Sequence, residues 1–121
     1  MTLQTRVKAW TDICFGRAIS SDTLERADRF TEEALELAQT TPEFTRERAH
    51  ALVDYVFDRP TGNPVQEVGG VMITLAALCN ANNINLNGAA NTEMKRISNP
   101  LIMQKIRAKQ AAKPTGSALP Q

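Results

Sequence analysis

The chain has 121 residues, of which 42% are hydrophobic and 22% are charged, as is typical of one soluble globular domain. This composition excludes a disordered charged protein, a collagen-like chain and a disulfide-rich scaffold. Fourteen basic and thirteen acidic residues give a net charge of +1, so bulk charge gives no reason to expect a nucleic-acid partner. Cys14 and Cys79 lie in apolar segments and are expected to be reduced core thiols.

The first ten residues lack the apolar run of a signal peptide. The longest nearly uncharged stretch, residues 61–92, contains Asn, Gln, Pro and Glu67, so it does not read as a membrane span. We therefore expect no membrane partner and a cytoplasmic location.

Helical periodicity recurs along the chain, whereas alternating strand patterns are absent. Gly16 and Pro42 are expected to end the first two helices, and the last helix can break at Asn99-Pro100. The predicted helices cover about residues 3–15, 22–40, 43–57, 65–81 and 88–112. The sequence predicts an all-α bundle of four or five helices in one domain, residues 1–112, followed by a flexible tail, residues 113–121.

Charge is distributed unevenly along the chain. Residues 1–90 carry twelve acidic and eight basic side chains, whereas residues 91–121 carry one acidic and six basic side chains. An acidic body beside a basic arm suits a divalent cation and a polyanion held together. The same distribution also suits an acidic helix that a basic helix partly neutralises.

The second predicted helix contains the segment Glu32-Glu33-Ala-Leu-Glu36. At 100° per residue, the acidic side chains from Glu25 to Glu36 fall opposite the apolar ones, as on an ordinary solvated helix face. Like charges three and four residues apart repel each other unless a cation neutralises them, and divalent cations prefer such carboxylate oxygens.

Glu67 is the only charged residue between Thr61 and Thr92, and it lies in a helix that is apolar on nearly every face. Such a helix is expected to be buried on most sides, so Glu67 is either a rim carboxylate that reaches solvent or a ligand facing a cleft. Gly69 and Gly70 follow in the same helix and indicate close approach of another helix or of a ligand.

The motifs Glu32-Glu33-Ala-Leu-Glu36 and Glu67-Val-Gly-Gly70, with the turn Ile84-Asn-Leu86, resemble those of the MazG-like all-α nucleoside triphosphate pyrophosphohydrolases. The likeness covers roughly residues 24–98 and is greatest to small single-domain members from phages and bacteria. It implies a helical bundle completed by dimerisation or tetramerisation, and hydrolysis of an NTP or dNTP to the monophosphate and pyrophosphate. No motif fixes the base; the phage-like resemblance favours purine deoxynucleotides and places the protein in a bacterium or an infected host cell.

The resemblance also implies the residues of the site. Glu33, Glu36 and Glu67 would hold Mg²⁺ or Mn²⁺, and Glu32 would act as an auxiliary ligand or as the base. Gly70 stands where the family has an Asp, so one ligand is missing. Asp54 or Asp58, or extra water on the metal, could replace that ligand; otherwise the chain is a catalytically impaired nucleotide-binding or structural helical oligomer of the same fold.

Basic side chains of the C-terminal arm are candidates for binding substrate phosphates. Trp10 is the only tryptophan, and it reads either as a core residue or as a platform on which a base stacks. The expected substrate-binding residues are Trp10, Lys95, Arg96 and Lys109.

Overall fold

The computed structural model describes residues 1–113, and within that range the chain is helical and contains no strand. The helices are α1 (Leu3–Phe15), α2 (Arg17–Ser20), α3 (Thr23–Gln39), α4 (Arg46–Phe57), α5 (Pro64–Ala81), α6 (Leu86–Ile97) and α7 (Pro100–Ala112). The all-α prediction is confirmed, but residues 1–113 form seven helices rather than the predicted four or five. The predicted flexible tail, apart from Lys113, lies outside the described residues.

Local capping explains most of the helix boundaries. Gly16 ends α1 with a φ of 82°, a conformation that glycine adopts without steric cost, and its N–H donates to the carbonyl of Asp12. The side chain of Asp22 begins α3 by accepting from the backbone N–H groups of Leu24 and Glu25. The one-turn helix α2 was not predicted, because four residues are too few to show a period.

The same Asn-Pro pair begins two helices. Asn63 accepts from the N–H of Val65 at 3.0 Å before α5, and Asn99 accepts from the N–H of Leu101 at 2.9 Å before α7. The proline that follows each asparagine occupies the first helical position, where its missing N–H costs nothing. Asn99 therefore divides the last predicted helix into α6 and α7.

The chain divides into two compact units. Unit 1 comprises Met1–Glu33 together with the chain from Ala90 onward, and unit 2 comprises Ala34–Ala89. The prediction of a single domain over residues 1–112 stays a prediction.

Unit 1 is organised around α1, which packs against both α2 and α7. The indole Nε1 of Trp10 donates to the carbonyl of Ile97 at 2.9 Å and so joins α1 to the end of α6. Arg107 of α7 donates to the carbonyls of Ile13 and Cys14, which lie at the C-terminal end of α1. These bonds satisfy carbonyls that the helix itself leaves without partners. Cys14 is buried and unpaired beneath this contact, as predicted.

Unit 2 has little buried surface. Cys79, also unpaired, is its only fully buried residue among those described. The N-terminal half of α5 is exposed, and its side chains Val65, Val68 and Ile73 keep 81%, 65% and 73% of their accessible area. The prediction that this helix is buried on most sides is therefore wrong for its first half, because no other part of unit 2 covers it. No helix among residues 1–113 is both long enough and apolar enough to cross a membrane.

Candidate functional site

The acidic segment of α3 forms the helix that the sequence predicts. Glu33 and Glu36 are exposed on it. Glu32 is half-buried, and both of its oxygens are engaged: Oε2 pairs with Arg29 Nη1 at 2.6 Å and Oε1 pairs with Lys113 Nζ at 3.2 Å. The like-charge repulsion expected along this helix is thus relieved at Glu32 by two cationic side chains.

Glu67 lies in the first turn of α5 and is exposed, so it reaches solvent as a rim carboxylate does. Its side chain folds back over the loop before the helix, because a Cβ at Gly62 would overlap Glu67 Oε1. A residue larger than glycine at that position would displace the carboxylate.

The expected metal ligands belong to both units: Glu33 lies in unit 1, whereas Glu36, Asp54 and Glu67 lie in unit 2. Their carboxylate oxygens are the donor type that Mg²⁺ and Mn²⁺ prefer. Within unit 2, however, Glu36, Asp54 and Glu67 do not come together as a group that could hold a metal ion. The donor chemistry fits a divalent cation, but this unit does not supply a complete ligand set.

A buried polar cluster in unit 1 was not foreseen from the sequence. Glu25 keeps only 1% of its accessible area; its Oε1 accepts from Gln110 Nε2 of α7 at 2.6 Å and lies 3.3 Å from Arg29 Nε. Glu25 Oε2 has no hydrogen-bond partner within residues 1–113. The prediction that the acidic face of this helix is wholly solvated is wrong at Glu25, because α7 covers that part of α3. The sequence carries no signal for this cluster, because α7 also contains Gln104, which is exposed.

The basic side chains expected to bind substrate have different surroundings. Arg96 forms an ion pair with Glu93 one turn earlier in α6, at 2.5 Å. Lys109 is exposed on α7. Lys95 is exposed on α6 and lines the same cavity as Trp10. The structure therefore brings together two of the four expected substrate-binding residues.

That cavity lies within unit 1, between α1, α6 and α7, and has a volume of about 420 Å³. Its walls combine apolar and basic side chains, and Arg6 and Lys95 are the charged residues among them. Arg6 Nη1 donates to Asn91 Oδ1 at 3.2 Å, which fixes the guanidinium at the cavity wall. Arg6 could not be predicted from the sequence, because no motif distinguishes it from other surface arginines.

Trp10 has a fixed orientation at this cavity. Besides the bond from its Nε1 to Ile97, its ring stands edge-on to Phe15, with 5.5 Å between centroids and an interplanar angle of 88°. This T-shaped arrangement is a favourable one for aromatic pairs. Trp10 is half-buried, so its ring packs within unit 1 and also forms part of the cavity wall.

Comparison of the chain with models of protein families, with curated proteins and with solved structures finds no match. The family likeness of the two acidic motifs thus stays a prediction from the sequence.

Proposed function

We propose that the chain hydrolyses a nucleoside triphosphate, with purine deoxynucleotides as the first candidates, to the monophosphate and pyrophosphate in the presence of Mg²⁺ or Mn²⁺. The observation that carries this proposal is the acidic pattern Glu32-Glu33-Ala-Leu-Glu36 on α3 together with Glu67 in the first turn of α5. Exposure of Glu33, Glu36 and Glu67 supports it, since an ion that also binds substrate phosphates must be reached from solvent.

In this proposal Glu33, Glu36 and Glu67 would hold the cation, and Asp54 would supply the carboxylate that Gly70 lacks. Because Glu36, Asp54 and Glu67 of one chain do not come together, a second copy would complete the set. The ion would neutralise phosphate charge and lower the pKa of an attacking water. Glu32 is the proposed base, and its contacts with Arg29 and Lys113 would orient it. The cytoplasm is the proposed location, and the two unpaired cysteines support a reducing compartment.

The proposed active form is a homodimer or a homotetramer. The exposed apolar side chains of α5 support it, because a second copy would remove them from water. Gly69 and Gly70 support it as well, since a Cβ built at either position meets no atom within 4 Å, which leaves room for another helix. A second copy could also complete the ligand set that unit 2 lacks.

A catalytically impaired nucleotide-binding or structural oligomer is the second candidate. Gly70 favours it, because it removes a ligand that the resembled family uses. The incomplete carboxylate set of unit 2 favours it too. The two candidates differ in one observable, which is release of pyrophosphate.

The test is a screen of the common NTPs and dNTPs with Mn²⁺ or Mg²⁺, with pyrophosphate as the readout. We expect metal-dependent release of pyrophosphate that Glu36→Gln lowers more than about 100-fold. Loss of a residue that only supports a metal ligand typically lowers activity by about 10-fold to 100-fold, so a larger loss indicates a ligand. Glu47→Gln, a change at an exposed carboxylate in the first turn of α4, is the matched control and should retain activity.

One outcome would contradict the metal role of Glu36, and another would contradict the hydrolase proposal itself. A fully active Glu36→Gln protein would remove the metal role of Glu36. Absence of pyrophosphate with every nucleotide, from a protein with the expected helical circular dichroism, would leave the second candidate.

A further inference from the structure

We propose that the cavity between α1, α6 and α7 binds an aromatic anion, that is, a planar ring system that carries a phosphate or another negatively charged group. A nucleotide belongs to this class, so the inference deepens the proposed function and rests on it only for the choice of ligand. Binding at this cavity needs no metal ion, which separates its test from the test of hydrolysis.

The apolar wall of the cavity suits a flat ring. Trp10, Met94 and Met103 are half-buried in it, and Ile13 contributes at 66% exposure. The donor of Trp10 is already satisfied by Ile97, so the indole offers its ring surface rather than a hydrogen bond. Stacking of a base on an aromatic side chain is worth about 1–3 kcal/mol and tolerates different bases. Because Phe15 and Ile97 hold the indole in place, a ring stacks on it without first ordering it.

The charge of the cavity wall suits an anion. Arg6 and Lys95 line it, and no Asp or Glu does so among the described residues. Lys95 forms no ion pair within residues 1–113. Arg6 donates one hydrogen bond to Asn91. The other N–H groups of its planar guanidinium match the geometry of phosphate oxygens. Two uncompensated cations beside an apolar wall select a ligand with a flat apolar part and an anionic part.

The volume of the cavity agrees with such a ligand. At about 420 Å³ it falls within the range of roughly 300–1,000 Å³ that small-molecule sites occupy. Ser98 and Asn91 add a hydroxyl and an amide to the lining. The amide nitrogen of Asn91 can donate to ring or sugar oxygens, whereas the hydroxyl of Ser98 donates to the carbonyl of Met94 at 2.6 Å and offers its oxygen as an acceptor.

The experiment uses the full chain in EDTA with three probes, namely ATP, adenosine and inorganic triphosphate. Isothermal titration calorimetry gives the dissociation constants, and fluorescence of the single tryptophan reports whether the probe lies against Trp10. We expect saturable binding of ATP with a change in tryptophan emission. Adenosine, which lacks the charge, and triphosphate, which lacks the ring, should each bind at least about tenfold more weakly.

The variant Lys95→Ala should raise the dissociation constant of ATP by about threefold to tenfold. Lys105→Ala is the matched control, because Lys105 is an exposed lysine on α7 that does not line the cavity. Circular dichroism of each variant verifies that the helices are retained. Arg6→Gln provides a second, independent loss of positive charge at the same wall.

Three results would overturn the inference: no binding of ATP, binding without any change in tryptophan emission, or equal affinity in Lys95→Ala, Arg6→Gln and the control. Hydrolysis is judged separately. Metal-dependent turnover with an unaltered KM in Lys95→Ala would overturn the inference while the proposed function stands. Metal-free binding at Trp10 without turnover would support the inference and contradict the hydrolase proposal.

Discussion

Glu25 illustrates how one buried carboxylate can join two helices. It is 1% exposed, and Gln110 of α7 and Arg29 of its own helix lie against its Oε1. Truncation to alanine would leave the amide of Gln110 without its acceptor and would remove one of the two ion pairs of Arg29. Removal of one partner of a buried charged pair typically costs about 3–5 kcal/mol. We therefore expect Glu25→Ala to lower the free energy of unfolding by about that amount in urea titrations.

A double-mutant cycle distinguishes this contact from general loss of packing. Gln110→Ala alone is expected to cost about 1–3 kcal/mol, since it leaves the Glu25 carboxylate with fewer donors. The Glu25→Ala, Gln110→Ala double variant should cost less than the sum of the two single changes, because the second change removes a group already left without its partner. Strict additivity would contradict the proposed coupling.

Asp12 makes the stability of unit 1 dependent on pH. Its Oδ2 accepts from Lys8 Nζ at 2.8 Å and its Oδ1 accepts from Ser20 Oγ of α2 at 2.5 Å, and these bonds hold the pKa of Asp12 below its ordinary value of 3.8. A carboxyl whose pKa is lower in the folded state contributes stability above its unfolded pKa and loses that contribution as the pH falls through the folded pKa. We expect the thermal midpoint of the native protein to fall from about pH 4 downward more steeply than that of Asp12→Asn.

The control for this prediction is Asp58→Asn, because Asp58 is exposed and forms no ion pair within residues 1–113. It should keep the acid sensitivity of the native protein. Parallel pH profiles for the native protein and Asp12→Asn would contradict the role assigned to Asp12. The comparison needs low ionic strength, since salt screens an exposed pair such as Lys8 and Asp12.

At the scale of elements, the helices could be predicted from the sequence because their signals are local. Asn63-Pro64 and Asn99-Pro100 mark two helix starts, and Gly16 marks a helix end. What could not be predicted is which face of each helix another helix covers. Glu25 and Glu36 lie on the same acidic face of α3, yet one is buried and the other is exposed. Periodicity identifies the polar face of a helix but not the helix that packs on it. Glu25 is covered by Gln110, which lies 85 positions away in the sequence.

The contact of α7 with the end of α1 depends on Arg107. Its Nε donates to the carbonyl of Cys14 at 2.9 Å and its Nη2 donates to that of Ile13 at 3.1 Å. Cys14 beneath it is 4% exposed, and burial raises the pKa of its thiol. We expect Arg107→Ala to lower the free energy of unfolding by about 1–3 kcal/mol, since two carbonyls lose their donors. The rate at which a thiol reagent labels Cys14 should rise.

Labelling is measured under native conditions in a Cys79→Ala background, so that only Cys14 reacts. Lys105→Ala is the control on the same helix and should leave the rate unchanged. Arg107→Lys should recover only part of the protection, because an ammonium lacks the planar fork that reaches both carbonyls. Fast labelling of the native protein would show that the contact does not protect Cys14.

At the scale of the whole molecule, the candidate site was less predictable than the helices that carry it. The motif residues could be assigned to α3 and α5 from the sequence, and both helices formed. Whether their carboxylates converge depends on packing between elements, which the motifs do not encode. The cavity at Trp10 depends in the same way on residues from three helices, and only Trp10 and Lys95 among its lining were expected. Local patterns therefore identified chemical groups, but not the groups that would share a site.

The exposed apolar side chains in the first half of α5 favour self-association of the chain. Val65, Val68 and Met72 recur at spacings of three and four, so they form one stripe, and they keep 81%, 65% and 52% of their accessible area. Gly69 lies within this stripe with open space where a Cβ would stand, so another helix can approach closely. Burial of a Val or Met side chain yields about 1.5–3 kcal/mol, which gives a second copy of the same stripe a driving force.

We expect light scattering to show a dimer or a tetramer, and Val68→Glu to raise its dissociation constant by at least about tenfold, since a carboxylate would enter an apolar contact. Thr74→Glu is the matched control, because Thr74 is exposed and lies about 180° around the helix from the stripe. It should associate as the native chain does. A native chain that is monomeric over the accessible concentration range, or equal dissociation constants for the two variants, would contradict association through this stripe. Because an oligomer gains stability by mass action, the thermal midpoint of the native chain should also rise with protein concentration, and that of Val68→Glu should rise less over the same range.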